Sequence, residues 1–117
     1  MNMATLPFSP VRDAGNLVFL SGQVGQKGGE LVSSDLKEQT RQAVANIESV
    51  LASQGMSLTD VVDVLALLVD AADYGPFNEV YAELFRAPYP TRTCIGAPWL
   101  PLGAKVEIKV VASRDLK

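Results

Sequence analysis

Arg92, in the run Thr91-Arg-Thr-Cys94, and Glu107, set between Lys105 and Lys109, are the residues whose types could do chemistry in a chain that contains no histidine. Without imidazole there is no Ser-His-Asp triad, no Cys-His pair, no usual zinc site and no histidine acid-base catalyst near neutral pH. Catalysis must then rest on carboxylates, hydroxyls, Arg, Lys or backbone groups. The planar guanidinium of Arg92 can grip a carboxylate through two parallel hydrogen bonds, which an ammonium cannot; the ordinary alternative is an ion pair at the surface or between subunits. Glu107 can act as a general base toward water, or it can be a solvent-facing residue that the flanking lysines keep ionised. Ser21, just before Gly22 at the end of an apolar run, offers a hydroxyl for proton transfer or for satisfying nearby backbone groups. Cys94 lies two residues from Arg92, hence on the same face of a strand, where a thiol commonly serves as a small buried hydrophobe. As the single cysteine, it excludes an internal disulfide and a cysteine-cluster metal site. Neither metal nor cofactor is expected.

A chain of 117 residues, 48% apolar and free of low-complexity tracts, fits one domain spanning 1–117. A domain this short buries only about two-thirds of its unfolded surface, so burying more between subunits would help stabilise it. The net charge of −3 and the absence of adjacent basic residues provide no positive stripe for a phosphate backbone, and no nucleic-acid partner is expected. The start of the chain lacks the basic and apolar regions of a signal peptide, and the longest apolar run, Val64 to Val69, is too short to cross a bilayer. No membrane association is expected, and the protein reads as cytoplasmic.

These residues must be held by regular elements. Residues 1–10, with Pro7 and Pro10, read as an extended lead-in, and Gly15 turns the chain into a strand over Asn16–Gly22. Gly25–Gly29 suits a turn before a short strand at Glu30–Val32. Asp35 and Glu38 form a capping-box pattern opening a helix that stops at Gly55. Its stripe of Ala43, Val44, Ile47, Val50 and Leu51 faces inward. Val61–Val69 reads as a buried central strand, since a helical crossover to a parallel strand is the standard use of such a helix. Pro76 fits the first turn of a second helix with the stripe Phe77, Val80, Tyr81, Leu84 and Phe85, which Pro88 and Pro90 end. Strands over Thr91–Ala97 and Lys105–Ser113 follow. The order β-β-β-α-β-α-β-β implies an α+β domain with both helices on one face of a mixed sheet. In the last strand Val106, Ile108 and Val110 alternate with Lys105, Glu107 and Lys109, so the opposite face is polar or is a site.

Asn16-Leu-Val-Phe-Leu-Ser-Gly-Gln23, Asn78-Glu-Val-Tyr-Ala-Glu-Leu-Phe85, Tyr89-Pro-Thr-Arg-Thr-Cys94 and Lys105-Val-Glu-Ile-Lys-Val-Val-Ala112, in register over almost the whole chain, resemble the RidA/YjgF/UK114 (reactive intermediate deaminase) family. The resemblance implies a chorismate-mutase-like fold, assembled as a homotrimer with sheets lining a central barrel, helices outside and active sites in clefts between subunits. It implies hydrolysis of reactive enamines and imines, such as 2-aminoacrylate and other 2-imino acids, to 2-keto acids and ammonia. In that scheme Arg92 anchors the small-molecule carboxylate, Glu107 orients or deprotonates water, and Ser21 serves proton transfer. The backbone of Cys94 helps hold the water; Gly22 and Asn78 belong to the substrate-binding set, and with Gln23 they match family positions as supporting structure. The chain departs from the pattern at Phe8, where the best-characterised deaminases carry Tyr. Phe8 can pack against a substrate but cannot exchange a proton. That departure leaves two other readings: a deaminase of a larger enamine such as 2-aminomuconate, and a non-catalytic trimer that binds small carboxylates or partner proteins. Ribonuclease activity, also assigned to related proteins, is disfavoured by the acidic charge.

Overall fold

The alternation expected in the last strand organises the molecule. In the computed structural model, which describes residues 6–116, Val106, Ile108, Val110 and Ala112 are buried and Glu107, Lys109, Val111 and Ser113 are half-exposed. The first five residues of the lead-in and Lys117 lie outside the described residues. The elements are β1 (Val11–Ala14), β2 (Leu17–Leu20), β3 (Gln23–Val24), β4 (Gln26–Lys27), β5 (Glu30–Leu31), α1 (Leu36–Ser53), β6 (Val61–Leu68), α2 (Tyr74–Leu84), β7 (Thr91–Gly96) and β8 (Val106–Ser113). The main sheet has the order β1-β2-β8-β6-β7, with β3 paired alongside β2 on the same edge of β8. Strands β6 and β7 are parallel and the other pairs antiparallel, as a helical crossover through α2 requires.

Both helices cover the same face. The core joins Ala43, Val44, Ile47 and Leu51 of α1, Phe77 and Tyr81 of α2, and the buried alternate residues of β2, β6 and β8. Helix α1 stops through a Schellman turn, in which Gly55 takes φ +70° and the Met56 N–H donates to the Leu51 carbonyl at 2.9 Å. At its start the Asp35 carboxylate accepts the Glu38 N–H at 3.1 Å. The return half of the expected capping box is not made: the Asp35 N–H donates instead to the Ser33 hydroxyl at 2.9 Å, and the Glu38 carboxylate accepts from Arg41 at 2.8 Å. Pro76 is the third residue of α2, in its first turn.

The opening region has more strands than the sequence pattern indicates. Val11-Arg-Asp-Ala pairs with β2 across a turn at Gly15 (φ +85°), but this edge strand exposes three of its four residues and so carries no alternation to read. The glycine segment is a tight hairpin, Gln26-Lys27 against Glu30-Leu31, turning through Gly28 and Gly29 at φ +64° and +88°.

One buried polar side chain ties the helix layer to the strand that carries Glu107. Gln39, on α1 and 1% exposed, donates from Nε2 to the Ser33 carbonyl at 2.9 Å and accepts the Lys105 N–H on Oε1 at 2.8 Å. Gln39→Leu keeps the volume and leaves both backbone groups without these partners. It should lower unfolding stability by about 1–3 kcal/mol, and an unchanged urea midpoint would contradict this account of the start of β8.

Candidate active site

Arg92 stands on β7, an edge strand, and its register neighbours fix the direction it takes. It lies beside Val64, which lies beside Val110, both in the core, so Arg92 leaves the sheet on the helix side. There its guanidinium carbon sits 4.7 Å from the ring centre of Tyr81, 5.5 Å from Phe77 and 5.8 Å from Tyr74, and one nitrogen donates to the Tyr74 hydroxyl at 3.3 Å. Tyr81 is itself held between Phe77 and Phe85, stacked on the latter at 4.4 Å. The aromatic platform attracts the cation without neutralising it. None of the ion pairs among the described residues involves Arg92. Beside it open Asn78, Tyr89 and Pro90, which with Tyr81 line a shallow cleft of about 290 Å³.

Glu107 leaves the sheet on the other side. Its neighbour across β8 and β6 is Leu67, and the neighbour of Leu67 on β7 is Ile95. It is the acidic group of a larger cleft, about 1030 Å³, shared with Phe8, Ser21, Gly22, Gln23 and Leu102. Gly22 gives the carboxylate its present place, since a Cβ at that position would overlap Oε2 of Glu107 and lie 2.9 Å from its carboxyl carbon, so the Glu107 side chain would have to swing away. The expected pairing of Glu107 with Lys105 and Lys109 is not formed. None of the ion pairs among the described residues includes it, and partial burial raises its pKa above the ordinary carboxylate value. Alternate residues on one strand point the same way without touching, and long lysine side chains gain more from water.

The site residues named from the sequence therefore fall into two groups. Phe8, Ser21, Gly22 and Glu107 share the larger cleft, and Asn78 shares the smaller one with Arg92. The Ser21 hydroxyl donates to the Ser9 carbonyl, fastening the lead-in to the end of β2 and leaving its oxygen as an acceptor. Cys94 is partly buried against the core beside Arg92 and lines neither cleft; burial pushes its thiol pKa up, with Arg92 pulling the other way. Sequence reasoning missed the platform under Arg92. Tyr81 was visible only as a member of a core stripe, although a phenol in that stripe is a signal. Its hydroxyl is buried and has no hydrogen-bond partner among the described residues.

A family model described as Endoribonuclease L-PSP matches residues 2–114. The chain belongs to the RidA/YjgF/UK114 family. Reactive Intermediate Deaminase A of Arabidopsis thaliana is 39% identical over 92% of this chain and 58% of its own length. A 2-iminobutanoate/2-iminopropanoate deaminase of Dermatophagoides farinae is 34% identical over 90% of this chain and 84% of its own. The crystal structure of E. coli TdcF with bound serine superposes with a TM-score of 0.90 at 32% identity, covering 96% of this chain and 91% of that one. This Rid-family chain thus shares its mixed sheet and two-helix layer with solved relatives.

The raised pKa of Glu107 has a consequence for stability. The folded state holds this proton more tightly than the unfolded state, so the contribution is full below the ordinary carboxylate range and is lost as pH rises through the folded value. Glu107→Gln cannot titrate. Relative to wild type it should gain stability on going from acid to neutral pH, read as denaturation midpoints at both pH values, and parallel pH profiles would refute the burial effect.

Proposed function

We propose that this protein hydrolyses reactive 2-imino acids and their enamine tautomers to 2-keto acids and ammonia. The observation that carries the reading is a guanidinium held ready on an aromatic platform with no carboxylate of its own, together with an unpaired carboxyl of raised pKa on the far side of the sheet. Named deaminases among its relatives support the same chemistry.

The reaction is R–C(=NH)–COO⁻ + H₂O → R–CO–COO⁻ + NH₃. Arg92 grips the substrate carboxylate and fixes the imine carbon. Glu107 takes one proton from water as its oxygen attacks that carbon and passes it to nitrogen, then takes the proton of the new hydroxyl and delivers it to the same nitrogen, so that the C=O bond forms as the C–N bond breaks and NH₃ leaves. A carboxyl with a raised pKa suits both halves of this exchange. Ser21 contributes its oxygen as an acceptor, and 2-aminoacrylate enters after tautomerising to its imine. Such imines already hydrolyse in water, so modest transition-state stabilisation suffices.

The two groups act together across a subunit boundary. Arg92 stands at the rim of the sheet, where a neighbouring copy can reach it. On the helix-free face Leu17, Phe19 and Ile95 are 41%, 40% and 49% exposed, more apolar surface than a solvated face needs. Three copies packed through these faces form the homotrimer, with Arg92 of one copy completing the Glu107 cleft of the next.

Short-chain 2-imino acids made in situ by an amino-acid oxidase and trapped with semicarbazide provide the test. Wild type should divert imine from the trap, and Arg92→Ala should lose about 30-fold to 100-fold in kcat/KM, as expected for removing a charge-assisted bidentate anchor. No diversion by wild type with any side chain would leave a carboxylate-binding protein instead. Arg92→Ala and Glu107→Gln, each impaired alone, should recover to about a quarter of wild-type activity when unfolded and refolded together, since random assortment in a trimer rebuilds about one site in four. Failure of the mixture to recover activity would refute the shared site.

A further inference from the structure

Resting on the imine-hydrolysis reading, we infer that the Glu107 cleft selects substrates by their side chain, preferring branched aliphatic imino acids to the smallest ones, and that Leu102 is the specificity-determining residue. Around the polar floor of Gly22 and Glu107, the walls are Leu6, Phe8 and Pro10 from the lead-in, Val24 from β3, and Pro101 with Leu102 from the turn before β8. Two polar neighbours are already engaged, Ser21 on the Ser9 carbonyl and Gln26 Oε1 on the Gly29 N–H. The cleft of one copy, about 1030 Å³ before a neighbour closes over it, is wider than a three-carbon imine fills, and apart from Gln23 beside Gly22 its remaining walls reward apolar surface.

Leu102 has the geometry of a residue kept for such a purpose. Its φ is +62° and ψ 11°, the left-handed region that a side chain of this kind rarely enters and that costs free energy relative to glycine. The turn fixes it there. The Gly103 N–H donates to the Leu100 carbonyl and the Ala104 N–H to the Pro101 carbonyl, both at 3.1 Å, while Leu100 and Ala104 are anchored in a small cluster with Val24. Leu102 itself contributes nothing to that cluster and stays 52% exposed on the cleft. A leucine that is both strained and exposed gains nothing within one copy, so its apolar partner comes from outside the chain, and on the wall of the Glu107 cleft that partner is the substrate side chain.

The experiment compares imines generated from L-leucine and from L-alanine in the trapping assay, with wild type, Leu102→Asn and Leu102→Met. Asn tolerates left-handed backbone, so its thermal midpoint should match wild type and keep loss of folding out of the result. Wild type should favour the leucine-derived imine by about 10-fold or more in kcat/KM, Leu102→Asn should lose most of that preference, and Leu102→Met should retain it. Equal selectivity in wild type and Leu102→Asn overturns the inference. Should wild type hydrolyse neither imine, the catalytic reading fails by itself, and calorimetric titration with 4-methyl-2-oxopentanoate against pyruvate decides the cleft. Tighter binding of the larger keto acid, lost in Leu102→Asn, upholds apolar selection; equal affinities refute it.

Discussion

The alternation of β8 is the constraint on which the rest depends. This strand lies between β2 and β6 and also takes β3 along one edge, so its two faces set the faces of the whole sheet. Burial of Val106, Ile108, Val110 and Ala112 against the helices leaves Glu107 no choice but the opposite side. A slip of one residue would move the carboxylate into the core and the valines into water. Such a slip is opposed from three directions: by the β2 and β6 pairings, by the Gln39 bond at Lys105, and by Gly22, which lies close against the Glu107 carboxyl.

The same constraint keeps the two charges of the site apart. Arg92 is placed on the helix face by its register with Val64, and Glu107 on the free face by its register with Leu67. The registers also offset them along the strands, since Ile95 and not Arg92 lies in line with Glu107 across Leu67, so the two do not pair and neutralise each other within one copy. Separation by the sheet leaves Arg92 with only aromatic rings and one phenol oxygen, and Glu107 with only partial burial. Each residue is kept in the state its proposed role requires by what is withheld from it.

This arrangement also explains what the sequence made legible. The helices, β6, β7 and β8 follow from periodic burial, so their positions could be read to within a residue or two from Ala43, Ile47, Phe77, Val64 and Ile108. Local hydrogen bonding left less of a trace. The edge strand β1 has no buried face, and the capping-box return from Glu38 is replaced by the Ser33 hydroxyl, which takes the Asp35 N–H from two residues before the cap. For the site, residue type and motif register singled out Arg92, Glu107, Gly22, Phe8 and Asn78, but no pattern reveals that a sheet divides them into two clefts. The lysines beside Glu107 misled because sequence proximity on a strand is not contact. Leu102 was invisible for the opposite reason: a leucine in a Pro-Leu-Gly turn is unremarkable until its positive φ and its exposure are known.

The reaction proposed for this histidine-free chain asks little of the protein. Imine carbons are electrophilic without a metal, ammonia leaves readily once protonated, and the carboxylate on the substrate supplies a handle for a single arginine. What the protein must add is orientation and one proton carrier. A partly buried glutamate provides the second at some loss of folding stability at neutral pH, and a rigid aromatic platform provides the first. Phosphodiester cleavage would ask for more: either a cationic groove to hold the backbone or stabilisation for a charged leaving oxygen. The net charge of −3 and the scattered basic residues fit the lighter demands of imine hydrolysis better than those of a phosphate backbone.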